Sequence, residues 1–176
     1  MVGFGGNNGS TILGGIIANR YALEWNTKKG VQRANMYGSL TQCSTMKIAD
    51  SEEGEVYMRI NEVIPMVRPE DLVIGGWDIN SEDLAVAMKR AQVFDYELQT
   101  KLEPYMRDYQ PMKSIYYPDF IASNQADRAN NLIPGNDKSV HLKTIREHIA
   151  RFKQENHLDK VIILWTANTE RFSLEI

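Results

Sequence analysis

The chain carries one cysteine, Cys43, so no internal disulfide is open to it and the sequence fits a reducing compartment. Cys43 stands in Thr41-Gln42-Cys43-Ser44-Thr45 without a histidine or a charged neighbour, so a reactive thiol is not read there. No apolar run approaches the ~20 residues of a membrane span. The N-terminus lacks the charged leader and apolar core of a secretory signal. Blocks of like charge are also missing: 20 basic and 23 acidic side chains leave a net charge of −3. Neither a nucleic-acid surface nor a polybasic membrane patch is expected on that balance. The three histidines, His141, His148 and His157, are joined by no cysteine or acid cluster, so no metal site is read. A Ser-His-Asp arrangement and a P-loop lysine are absent as well. What these absences leave is a cytoplasmic, ligand-binding chain of 176 residues, one domain with room for an insertion, in which 43% hydrophobic content supplies a core.

What is present begins at once. Gly3-Phe4-Gly5-Gly6-Asn7-Asn8-Gly9-Ser10-Thr11 packs four glycines and two asparagines into nine residues, followed by the helical pattern Ile12, Leu13, Ile16, Ile17. Bare amides at the start of a helix, where the dipole is positive, make a seat for phosphate. Gly3, Gly5 and Gly9 fit G-x-G-x-x-x-G, with Asn8 where the usual third glycine stands, so the stretch reads as the pyrophosphate turn of a dinucleotide fold. Only Met1 and Val2 precede it, where such a fold has a full strand, so the chain reads as starting inside its first strand.

The helix is expected to run from Ser10 or Thr11 to about Tyr21. Residues 24–68 then turn polar, with turn signals at Lys29-Gly30, Tyr37-Gly38 and Glu52-Glu53-Gly54 and β-like pieces such as Glu55–Ile60, and read as an insertion. Leu72-Val73-Ile74-Gly75-Gly76 suits a buried parallel strand, with Trp77-Asp78-Ile79-Asn80 at its carboxyl end. Ser81 reads as the N-cap of one helix through Leu84, Met88, Ala91, Phe94, Leu98 and Leu102, ending before Pro104. Ser114–Tyr117 is a short strand, 119–137 a polar stretch, and Ser139–Asn156 a helix whose stripe Leu142, Ile145, Ile149, Phe152 is read as core. Lys160–Trp165 is the clearest buried strand and leads into Thr166-Ala167-Asn168-Thr169-Glu170. The alternation defines an α/β, Rossmann-like, doubly wound parallel sheet.

Three polar clusters thus fall at the carboxyl ends of expected strands, where open α/β sheets bind ligands. Asp78 is the candidate acceptor for two vicinal ribose hydroxyls, although it stands far beyond the ~20 residues that usually separate the turn from this acid. Glu24 is nearer that distance but follows no expected strand, and a helix cap remains the alternative for Asp78. Within Asn124–Asn131, Gln125 and Arg128 are candidates for an adenine or phosphate contact, against a solvated face or loop as the default.

The turn, together with Tyr37-Gly38-Ser39-Leu40-Thr41-Gln42, Gly76-Trp77-Asp78-Ile79, Pro118-Asp119-Phe120-Ile121-Ala122 and the run Asp159–Phe172, resembles the eukaryotic-type myo-inositol-1-phosphate (inositol-3-phosphate) synthases over almost the whole chain. Phe4 departs from the tryptophan usual beside the turn. The resemblance implies an NAD-dependent isomerase converting D-glucose 6-phosphate to 1D-myo-inositol 3-phosphate by oxidation at C5, enolisation, aldol closure and reduction. It implies Gly5, Gly6, Asn7 and Asn8 at the pyrophosphate and Asp78 at the adenosine ribose. Thr166, Ala167, Asn168 and Thr169 would line the middle or nicotinamide half, and Ser114, Ile115, Gln125 and Arg128 the adenine end. It further implies that 1–176 is part of the NAD-binding domain, with the catalytic lysines and the domain that builds a homotetramer beyond Ile176. A non-catalytic, NAD-binding short form that associates with full-length subunits is the alternative.

Overall fold

In a computed structural model the described residues are 1–120 and 122–167. In chain order they form α1 (Asn7–Arg20), β1 (Glu24–Thr27), β2 (Gly30–Arg33), α2 (Leu40–Cys43), β3 (Thr45–Ser51), β4 (Gly54–Arg59) and α3 (Ile60–Val63). There follow β5 (Trp77–Asp78), α4 (Leu84–Ala91), α5 (Tyr96–Met106), β6 (Met112–Lys113) and α6 (Lys138–Glu155). The chain divides into two compact units, 1–14 with 73–176, and 15–72.

The first unit is a parallel sheet. β5 pairs β6 in parallel, Trp77 opposite Met112. Val2 bridges both Trp77 and Trp165 in parallel, and Ser114 bridges Leu132 in the same sense. The lateral order is therefore Trp165, Val2, Trp77, Met112–Ser114, Leu132. From Val2 the chain moves outward to Leu132, then returns to the other side of Val2. That reversal is the topological switch point of a doubly wound sheet, the place where such folds open a crevice.

Several boundaries differ from the sequence reading, for identifiable reasons. α1 starts at Asn7, three residues before Ser10, so both asparagines lie in its first turn. The strand expected at 72–76 is displaced to β5, and Leu72 and Val73 are exposed. Pairing falls on Trp77: Val2 bridges it in parallel, and Trp77 N donates to Met1 O at 2.9 Å. Lys160–Trp165 is limited in the same way. Val2 N donates to Leu164 O at 2.9 Å, the only pairing of this run among the described residues is at its end, and Ile162 and Ile163 are exposed rather than buried. A strand with no partner alongside buries nothing.

The single helix expected over 81–102 is two. Asp83, not Ser81, caps α4, its Oδ1 accepting from Val86 N at 2.9 Å. Gln92 takes a left-handed conformation, φ 51°, and ends α4. Pro104 stands inside α5 instead of stopping it, at the cost of the one ladder bond its missing N–H would give. The apolar phase survives the break, because Leu84, Met88, Leu98 and Leu102 are all buried. α6 keeps its expected span, but its stripe is not core: Leu142 is exposed, Ile145, Ile149 and Phe152 are half-buried, and the one buried residue is His141.

The second unit is built from two antiparallel hairpins, β1–β2 with Thr27 opposite Gly30 and β3–β4 with Ser51 opposite Gly54, the latter bulged between Lys47 and Ala49. Two-residue loops at the expected turn signals close both. Arg20 ties its ends, donating from Nε to Glu70 O at 2.7 Å and from Nη2 to Leu72 O at 2.8 Å. Among the described residues no helix is long and apolar enough to cross a membrane.

Candidate dinucleotide site

The glycine turn is anchored from three sides. Gly3 N and Phe4 N both donate to Trp77 O at 2.9 Å, and Gly6 N to Gly3 O at 3.1 Å, which closes the turn. Gly3 adopts φ +79°, open to glycine without penalty, and a Cβ there would lie 2.6 Å from the Ala167 Cα. A Cβ on Gly9 would lie 2.4 Å from Phe4 O, so glycine alone allows α1 to rise directly out of the turn. Ser10 N donates to Gly6 O at 2.9 Å. The first turn of α1 carries the positive end of its dipole.

Asp78 is 5% exposed and sits under the turn. Its Oδ2 accepts from Gly5 N at 2.9 Å and its Oδ1 from Asn80 N at 3.0 Å. Arg128 Nη2 lies 3.7 Å from the same Oδ1, while Arg128 Nε is buried with no hydrogen-bond partner. The Asn80 amide brings Arg128 there, donating to the Arg128 carbonyl at 3.2 Å. On the opposite side of the turn Thr166 donates from Oγ1 to Val2 O at 2.8 Å, and Asn8 Nδ2 donates to Thr166 O at 3.1 Å. Ala167 N reaches Val2 O at 2.9 Å. On this second side lies an open groove of about 380 Å³ lined by Asn7, Asn8, Thr11, Leu164, Trp165 and Thr166 among others; Asp78 and Arg128 do not line it.

The structure thus brings together Gly5, Gly6, Asn7, Asn8, Asp78, Arg128, Thr166 and Ala167. Ser114 and Ile115 follow β6 further along the sheet, Ser114 exchanging backbone hydrogen bonds with Asn131 and Ile133 at 2.9 Å. Gln125 is half-buried in the 3-10 helix Ser123–Arg128. Asn168 and Thr169 lie outside the described residues. Two groups escaped sequence reasoning. Arg90 donates from Nη2 to Gly5 O at 2.7 Å and forms an ion pair with Glu82. Burial holds its guanidinium below the ordinary value, the Arg128 charge acting in the same direction and Asp78 in the other. Asn131, read with a solvated stretch, is buried, and its Nδ2 serves Asp78 O, Pro111 O and Met112 O at 3.0 to 3.2 Å. Nothing in composition or spacing separates such amides from solvated ones.

These features suit a dinucleotide. A buried carboxylate beside a glycine turn, the positive first turn of α1 and a buried guanidinium N–H without a partner are groups of the kind that engage a dinucleotide. Fold and site define the class: an NAD-binding protein of Rossmann type. An NAD-binding family model, described as Myo-inositol-1-phosphate synthase, matches residues 1–176. Inositol-3-phosphate synthase of Dictyostelium discoideum is 53% identical over 174 residues, and that of Saccharomyces cerevisiae 51% over 181, each covering 98% of this chain. A crystal structure of inositol-3-phosphate synthase from Caenorhabditis elegans superposes with a TM-score of 0.93 over 97% of this chain at 53% identity. The chain belongs to the myo-inositol-1-phosphate synthase family. It spans 34% of the length of each of these relatives.

Proposed function

We propose that this chain is the NAD-binding portion of an inositol-3-phosphate synthase that converts D-glucose 6-phosphate to 1D-myo-inositol 3-phosphate. The observation that carries the reading is the Gly5 amide of the turn held on the buried Asp78 carboxylate. When bound, NAD supplies the hydride acceptor and donor of that conversion. The chain's own residues bind and orient it. The first-turn amides of Asn7 and Asn8 face the pyrophosphate, Asp78 accepts from the adenosine ribose, and Arg128, Gln125, Ser114 and Ile115 enclose the adenine end. Thr166 and Ala167, with Asn168 and Thr169 following, line the part toward the nicotinamide. The segment 24–68 is an insertion in this domain. The working protein is a cytoplasmic homotetramer.

Calorimetric titration of the chain with NAD tests the reading. Saturable binding is expected, weakened at least about tenfold in Asp78→Ala, the order expected for a charge-assisted hydrogen-bond acceptor lost from a buried site. A chain folded by circular dichroism that gives no saturable signal would refute it.

A further inference from the structure

Gly5 and Gly6 share the peptide on which the turn depends, and a Gly-Gly peptide has little intrinsic resistance to flipping. In this chain it is pinned at both ends. Gly6 N donates to Gly3 O at 3.1 Å, and Gly5 O accepts from Arg90 Nη2 at 2.7 Å. The second contact crosses from α4 to the turn and belongs to a closed circuit. Gly5 N donates to Asp78 Oδ2, Asp78 Oδ1 accepts from Asn80 N, and Asn80 Oδ1 accepts from Glu82 N at 2.8 Å. Glu82 pairs with Arg90, which returns to Gly5.

We infer that Arg90 is a positioning residue for the dinucleotide pyrophosphate, acting through the Gly5 carbonyl rather than by touching the ligand. A flip of the Gly5–Gly6 plane would turn its carbonyl oxygen toward Gly3 O and break the Gly6 N bond that closes the turn ahead of the positive first turn of α1. Arg90 holds the carbonyl on its own guanidinium and so keeps the turn closed, which sets the start of α1 for the pyrophosphate. Glu82 pairs with Arg90, and the Asn80 side-chain oxygen accepts from Glu82 N, so the turn is joined to the end of β5.

The inference rests on the groove taking NAD, and its consequence falls on one part of that ligand. Removing Arg90 weakens ligands that carry the pyrophosphate and spares those that do not. The experiment compares ADP-ribose with adenosine on the chain, its Arg90→Met variant, which keeps the apolar stem without a donor, and Arg90→Lys. ADP-ribose affinity is expected to fall about tenfold in Arg90→Met, the scale of one charge-assisted hydrogen bond, with adenosine held within about twofold. Arg90→Lys recovers most of the loss. Equal losses for both ligands, or no loss, overturn the inference. Should Arg90→Met fail to fold, Glu82→Gln decides: a drop of about threefold in the ratio of ADP-ribose to adenosine affinity supports the inference and an unchanged ratio overturns it, by the conversion of affinity ratios to free energy. Wild-type chain that binds neither ligand refutes the NAD reading instead.

Discussion

Gly9 shows how far a single residue can be held to account. A methyl group there would stand 2.4 Å from Phe4 O and 2.6 Å from Gly3 O, both backbone atoms of the turn that cannot swing aside. Gly9→Ala is therefore expected to destabilise the chain by about 1–3 kcal/mol, the range for overpacking a tight site. Urea unfolding measures it, and an alanine variant as stable as the parent would show that turn and helix do not meet as described. Glycines were legible in the sequence because no other residue substitutes for them at close backbone approach. Arg90 and Asn131 were not. Their side chains reach partners far away in the chain, Gly5 for one and Pro111 for the other, and a polar residue reads as solvated until the fold places a carbonyl beside it.

Among the elements, α6 is fastened to β5 by a contact that titrates. Trp77 Nε1 donates to His148 Nδ1 at 3.0 Å, which requires that nitrogen to be unprotonated. Burial holds the imidazole below its ordinary value of 6.5, the Arg151 charge adds to this, and Glu147 opposes it. A histidine with a depressed value binds its proton more weakly in the fold than in the unfolded chain. Its stabilising effect is therefore complete above about pH 6.5 and is lost as pH falls below that toward the folded value. His148→Asn keeps an acceptor for the indole without titrating. The parent's melting temperature is expected to fall more steeply than the variant's between about pH 7 and about pH 5.5; parallel curves would mean His148 is not the sensor. The phase of α6 could be read from its sequence, and so could its span, but not its burial. Leu142 is 51% exposed because a stripe becomes core only where another layer lies against it. The same holds for the split at Gln92, where the apolar spacing continues unbroken through a left-handed residue that spacing does not register.

At the scale of the whole chain, the alternation of strands and helices was enough to place the turn, Asp78 and Thr166 at one end of a doubly wound sheet. Strand lengths were not legible, since each depends on what lies beside it. Val2 serves Lys160–Trp165 only at the end of that run, and the rest presents apolar side chains: Ile162 is 87% exposed and Trp165 71%. An open edge of this kind and a half-covered helix face are surfaces that drive association in water. Because the chain spans 34% of its relatives' length, such surfaces bear directly on how it behaves in solution. The expected outcome is concentration-dependent association and binding of an apolar dye at about 100 μM, a level at which exposed apolar patches meet one another. Ile162→Thr with Leu142→Gln, outside the site residues and conservative of strand and helix, should lower both while leaving NAD affinity within about twofold, since neither side chain lines the groove. Sedimentation velocity across a dilution series reads the first effect and dye fluorescence the second. A parent chain that stays monomeric and dark at that concentration would show that these side chains do not drive association.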